Sequence, residues 1–240
     1  MAQSHVDHLL VTSRTNVRYL TGFAGSAGWV LISDSTVVLI TDARYIEQVR
    51  RDLGEQHALL ATTGLSASLL TELASAGVEA LGFESEHLSF GAVEALKTAM
   101  ASSMVHCALT ATTGLVEALR AIKDAAELQA IRQAAELADG AIAHAMAIAV
   151  PGMTEQCLAW RLERWLREHG SGPIPFNVIV ASGPESALPH AVPSDRPFAE
   201  GEPIVIDLGA TWAGYCSDIT RTLFLGRMAE PFDSVYKTVL

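Results

Sequence analysis

The sequence predicts an α/β fold built in two parts. Three observations carry this prediction. Short β-rich apolar runs alternate with helix-like segments through the first half. The texture changes near Ile122, where a capping pattern opens a long helical stripe. Residues 204–226 then read as two apolar strands around a turn that contains Gly214. Alternation of strands and helices is the pattern of an α/β domain with a mostly parallel sheet.

Taken in order, HLLVT (8–12), GWVLIS (28–33) and TVVLIT (36–41) are strand candidates. Asp34-Ser35 between the last two is a tight-turn signal. Residues 44–53, 66–76 and 89–101 read as helices, with strands at 79–84 and 104–109. Asp124-Ala-Ala-Glu127 is a capping box, in which each end satisfies a free backbone N–H. Leu128, Ile131, Ala135, Ala138 and Ile142 follow at helical spacing. That helix should stop at Pro151-Gly152. A second follows, with Leu158, Leu162 and Trp165 on one face and Gly170 just past its end. The expected division is residues 1–121 and 122–240. From Pro231 a further helix begins and reaches Leu240 without a cap. A helix ending on an apolar residue after about two turns is marginal, so the pattern predicts a cut chain rather than a finished one.

The chain has 240 residues, half of them hydrophobic, and a formal net charge of −11. It can bury a sizeable core in one large domain or two modest ones. The acidic balance argues against a nucleic-acid partner, whose phosphates demand a basic surface. No run of eighteen apolar residues is present, so no membrane helix is expected. The opening MAQSHVDHLLV lacks the basic and apolar regions of a secretory signal. Cys107, Cys157 and Cys216 form no zinc or disulfide pattern and read as small core residues. A reducing cytoplasm is the expected location.

The chemistry concentrates in IVIDLGATWAGYCSDITRTLFLG, residues 204–226. A hairpin centred between Trp212 and Ala213 would set Asp207 directly opposite Asp218. Facing Cβ atoms on paired strands lie about 5 Å apart, and like charges there repel. A proton or cation between the carboxylates relieves that cost, and a divalent metal or a pair of them is the natural occupant. On spacing alone the alternatives stay open: Asp218 capping a turn, Asp207 ending a strand at the surface, or a turn centred elsewhere. Pro203–Leu208 is apolar apart from Asp207, and a carboxylate on a buried strand needs a strong partner. A second group, His190, lies in a Gly-, Ser- and Pro-rich loop after the apolar run 176–181. Such loops commonly carry functional groups. Imidazole binds metal, relays protons or holds developing negative charge; the alternative is a loop histidine bonded to nearby backbone. His5, His8, His57, His87, His106, His144 and His169 receive no role.

SALPHAVPSDR (186–196), followed by the 204–226 block, resembles the proline-specific metallopeptidases of the pita-bread family, the Xaa-Pro aminopeptidases and Xaa-Pro dipeptidases (prolidases). LLVTSRTNVRYLTGFAGSAGWVLISDSTVVLITDARY (9–45) resembles the creatinase-type N-terminal domain that precedes their catalytic domain. The resemblance implies a creatinase-like α/β domain followed by the first half of a pita-bread α+β catalytic domain. It implies two divalent metals, manganese or cobalt with zinc as a further candidate, sharing a water or hydroxide. Asp207 would bind one metal, Asp218 would bridge both, and His190 would lie beside the substrate carbonyl. Xaa-Pro peptides are the implied substrates, in a hydrolase without nucleic-acid or membrane partners that pairs as a homodimer. A complete family site has five protein ligands. The other three, a histidine and two glutamates, belong to the second half of the catalytic domain, which residues 122–240 do not match. Ala191 stands where many members have Gly, and the helix that usually precedes the first strand is absent or truncated. The competing reading is a non-catalytic or vestigial pita-bread protein that acts in binding or association. Non-catalytic members typically lose the metal aspartates, whereas Asp207 and Asp218 are both here. Creatinase, which is metal-free, is disfavoured for the same reason. Methionine aminopeptidase is disfavoured because it lacks the N-terminal domain.

Overall fold

The computed structural model describes residues 6–53, 58–62 (backbone path alone), 64–228 and 230–239. His5, His57 and Leu240, on which parts of the sequence reading fall, lie outside the described residues. Two compact units divide between Ile122 and Lys123.

The first unit runs β1 (His8–Val11), α1 (Arg14–Thr21), β2 (Gly28–Ile32), β3 (Val37–Asp42), α2 (Ile46–Leu53), β4 (Ala58–Thr62), α3 (Leu65–Ala76), β5 (Ala80–Glu84), α4 (Phe90–Ser102), β6 (Ala108–Thr112) and α5 (Leu115–Ala121). Its six-stranded sheet has the order β4-β3-β2-β1-β5-β6. Leu10, Leu31, Ile40 and Leu81 fill the core on one face of the sheet. Their neighbours Leu9, Val11, Val30 and Leu39 fill the other. Both faces are thus apolar, as expected of a sheet covered by helices on each side.

The sheet is mixed rather than mostly parallel. β1–β5, β5–β6 and β3–β4 are parallel, whereas β1–β2 and β2–β3 are antiparallel. The turn at 33–36 explains the β2–β3 pair. Ser33 Oγ accepts from Thr36 N at 3.0 Å, and Ser33 N donates to Thr36 O at 2.9 Å. A connection that short permits only an antiparallel return. β6 begins four residues later than the apolar run suggests. Val105 N donates to Met100 O at 3.0 Å, so Met104 and Val105 belong to the turn that closes α4. The short elements α1, β4 and α5 carry no clean period and escape the sequence reading.

The second unit runs α6 (Ala125–Ile148), α7 (Glu155–Glu168), β7 (Ile179–Ser182), β8 (Pro203–Leu208), β9 (Thr211–Trp212), β10 (Tyr215–Cys216), β11 (Ile219–Phe224) and α8 (Phe232–Val239). The capping box forms as read. Glu127 N donates to Asp124 Oδ1 at 2.9 Å, and Asp124 N donates to Glu127 Oε2 at 2.8 Å. The buried stripe of α6 differs from the expected one. It consists of Ala130, Ala134, Ala138, Ala141, Ile142 and Ala145, while Leu128 is exposed. Small side chains let this helix lie close to its neighbours, so that Ser217 Oγ donates to Ala134 O at 2.8 Å. On α7, Leu158, Leu162 and Leu166 are buried. Trp165 is only partly so; it packs against Gly140 and stacks on His169 with ring centroids 3.8 Å apart.

β11, β8 and β7 form an antiparallel sheet with β8 in the centre. Ile204, Ile206 and Leu208 point into the α6–α7 core. By strand alternation, Val205 and Asp207 point to the other face. The three cysteines are free, but Cys216 is exposed rather than in the core. Burial, with the nearby Asp7 charge, pushes the Cys107 thiol up. Among the described residues no helix is long and apolar enough to cross a membrane.

Candidate active site

The register of the hairpin corrects the expected facing of the aspartates. Ala213 and Gly214 form a two-residue turn with φ of 47° and 85°. Positive φ at both positions marks a type I′ hairpin, whose twist suits the flanking strands. Trp212 therefore pairs with Tyr215, Thr211 with Cys216 and, further out, Asp207 with Thr220. The turn centre lies one residue later than expected, so every partner slips by two. A slip of two keeps each side chain on its face, whereas a slip of one reverses it. Asp218 follows Ser217 on the link between β10 and β11, displaced along the ladder from Asp207.

Asp207, Asp218 and His190 still converge. They line one cavity of about 400 Å³ with Phe176, Asn177, Ile179, Ala191 and Val192. Asp207 is half-buried on the central strand between Ile179 and Thr220. Its Oδ1 accepts from Thr220 Oγ1 at 3.0 Å. Asp218 and His190 are exposed, the latter in the loop that follows a 3-10 turn at Gly183–Ala187.

Several residues that the sequence reading passed over hold this arrangement. At Gly209 a Cβ would collide with the Ser217 carbonyl oxygen and approach Pro175 Cγ to 2.8 Å. Only glycine lets β8 pass so close to the segment that delivers Asp218. Ser217 Oγ accepts from Ala210 N at 3.1 Å while donating to Ala134 O. Tyr215 Oη donates to Glu127 Oε1 at 2.6 Å, so the capping box of α6 also anchors the hairpin. The signal for Gly209 is a glycine directly after a strand whose penultimate residue is a carboxylate. Ser217 and Tyr215 carry no signal, since their partners lie 83 and 88 positions away.

Two carboxylates and an imidazole around one cavity are oxygen and nitrogen donors of the kind that divalent manganese, cobalt or zinc accepts. Among the described residues, neither Asp207 nor Asp218 forms an ion pair with Lys, Arg or His. Uncompensated carboxylates in one cavity favour a bound cation. Among the described residues no group of three or more His, Cys, Asp or Glu side chains could hold a metal. The donor set therefore fits part of a divalent-metal site.

Comparison with known proteins bears on the family and the fold. Residues 1–122 match the creatinase/prolidase N-terminal domain, and residues 129–240 match metallopeptidase family M24. The uncharacterised peptidase YqhT of Bacillus subtilis is 36% identical over 237 residues, covering 99% of this chain and 66% of that protein. Among solved structures, the Xaa-Pro dipeptidase from Bacillus anthracis is 34% identical with a TM-score of 0.92, covering 99% of this chain and 66% of that one. The X-Pro aminopeptidase from Thermotoga maritima is 31% identical with a TM-score of 0.88, covering 99% and 68%. The chain spans 66% of the length of three curated relatives that it matches. Its first unit has the creatinase-type α/β fold, and its second has the first half of the pita-bread fold. The chain belongs to metallopeptidase family M24, among the members that carry a creatinase/prolidase-type N-terminal domain.

Proposed function

We propose that this chain is part of a metal-dependent peptidase that hydrolyses the bond between an N-terminal residue and proline. The observation that carries the reading is the single cavity lined by Asp207, Asp218 and His190. Relatives named as an Xaa-Pro dipeptidase and an X-Pro aminopeptidase support the substrate class.

In this reading Asp207 and Asp218 would hold two divalent ions, and further ligands would complete the site. Manganese or cobalt is the favoured pair, with zinc as a further candidate. Such ions, when bound, lower the pKa of a shared water and polarise the scissile carbonyl. Thr220 holds one oxygen of Asp207, which leaves the other free for a ligand. His190, on its exposed loop, donates to the carbonyl oxygen as negative charge develops there. Phe176, Ile179 and Val192 give the cavity an apolar side beside the carboxylates. The reading extends to a cytoplasmic enzyme that works as a homodimer.

The test is hydrolysis of an Xaa-Pro dipeptide and an Xaa-Pro tripeptide by the 240-residue chain with manganese, beside Asp218→Asn. Weak manganese binding that the substitution abolishes is the expected result; cleavage beside it would mean that groups beyond Asp207, Asp218 and His190 complete the site, and the preferred length would then separate dipeptidase from aminopeptidase. Cleavage that survives the substitution contradicts the reading. A folded chain that neither cleaves nor binds manganese favours a vestigial site used in binding or association.

A further inference from the structure

The loop that carries His190 is clamped at both ends by one buried carboxylate. Glu155, in the first turn of α7, is 1% exposed. Its Oε1 accepts from Ser182 N at 2.7 Å and Ser182 Oγ at 2.8 Å, where β7 ends and the loop begins. Its Oε2 accepts from Ser194 N at 3.1 Å and Ser194 Oγ at 2.7 Å, four residues past His190. Backbone bonds strengthen the far end: Glu155 N donates to Arg196 O at 3.1 Å, and Gln156 N to Ser194 O at 3.0 Å. Arg196 closes the ring, with Nη1 donating to Ser182 Oγ at 2.6 Å and Nη2 to Glu202 Oε2 at 2.6 Å. Gly183 leaves room for that guanidinium, since a Cβ there would lie 2.5 Å from Arg196 Nη2.

A buried carboxylate costs much unless hydrogen bonds replace its hydration. Four donors on Glu155 meet that need, and they come in two pairs from the two ends of one loop. Breaking one pair leaves the other in place but loosens one end of the loop. We propose that Glu155 is a positioning residue for His190: its carboxylate fixes both ends of the 183–193 loop and so sets where the imidazole stands at the Asp207–Asp218 cavity. This role rests on the peptidase reading only for its meaning in catalysis. The clamp itself is independent of it.

The test is hydrogen exchange of the 240-residue chain together with the His190 imidazole Cε1–Hε1 resonance, neither of which needs activity. The variants are Glu155→Gln, Ser194→Ala and Ser194→Thr. In Ser194→Ala, amides 183–193 should exchange at least about tenfold faster, the effect of losing one charge-assisted bond. Those of Ala138–Ala145 should be unchanged, the His190 resonance should shift or broaden, and Ser194→Thr should restore both. Glu155→Gln should produce the larger effect of the same kind. A His190 resonance and loop exchange left as in the wild type by Ser194→Ala overturn the proposal. So does acceleration spread equally through loop and helix core, which would make the clamp general to the fold. Failure of Xaa-Pro hydrolysis with a positive exchange result counts against the function reading alone.

Discussion

Asp207 faces Thr220 across the β8–β11 ladder, and Thr220 Oγ1 donates to Asp207 Oδ1 at 3.0 Å. The neighbour of this candidate ligand is therefore a hydroxyl rather than the second carboxylate. That hydroxyl orients the carboxylate without neutralising it. Thr220→Val keeps the shape and removes the donor. Manganese affinity should fall about tenfold, the usual effect of losing a group that orients a ligand. Stability should change by only about 1 kcal/mol, because the bond is exposed. Calorimetric titration and urea denaturation measure the two.

Gly209 tests the close approach of β8 to the Asp218 segment. Gly209→Ala should destabilise the second unit by about 1–3 kcal/mol, the range for forcing a methyl into a filled space. It should also weaken manganese binding, since relief comes from moving the Ser217 backbone. An unchanged urea midpoint would show that this approach is looser than the geometry requires.

Glu155 should make stability depend on acid. Burial alone would raise its carboxyl, but hydrogen bonds from Ser194 and Ser182 outweigh this and hold it below its ordinary value of 4.5. A group depressed in the folded state adds stability that is complete above the unfolded value. That stability is lost as pH falls through the folded one. The facing charges are Arg196, through Ser182, and its partner Glu202. The gap in urea midpoint between wild type and Glu155→Gln should be full near pH 7 and narrow well below 4.5. A gap that stays constant would contradict the clamp as an ionised group.

In the first unit, Asn16 is fully buried and shares its amide between two carboxylates. Nδ2 donates to Glu84 Oε1 at 2.6 Å and Glu117 Oε1 at 2.5 Å, and Oδ1 accepts from Arg120 Nη1 at 2.9 Å. The Asn16 bond is the main cause that holds Glu117 below the usual carboxylate range. Asn16→Leu should cost about 3 kcal/mol, since it strips partners from charged groups. It should also move the Glu117 titration upward, which carbon-detected NMR can follow.

How far the fold is legible in the sequence depends on how local its causes are. The Asp124–Glu127 box is readable because its two bonds span three positions. The hairpin centre is not, because Trp-Ala-Gly-Tyr lacks the Asn-Gly or Asp-Gly pair that marks a type I′ turn, and Ala213 takes a positive φ that alanine rarely adopts. The alanine stripe of α6 is hidden because hydrophobic periodicity favours large residues such as Leu128, whereas close packing selects small ones. Asp207, Asp218 and His190 stand out as polar groups on or after apolar strands. Glu155 does not, since its partners lie 27 and 39 positions away and a glutamate in a first helical turn looks like an ordinary dipole partner.

Asp207 and Asp218 are proposed to act together on a divalent cation. Calorimetric titration of manganese into the 240-residue chain, Asp207→Asn and Asp218→Asn measures this without relying on activity. The wild type should bind more weakly than micromolar, because two carboxylates are an incomplete ligand set, and either substitution should abolish binding. Submicromolar binding, no binding at millimolar metal, or binding that either substitution leaves unchanged would contradict it.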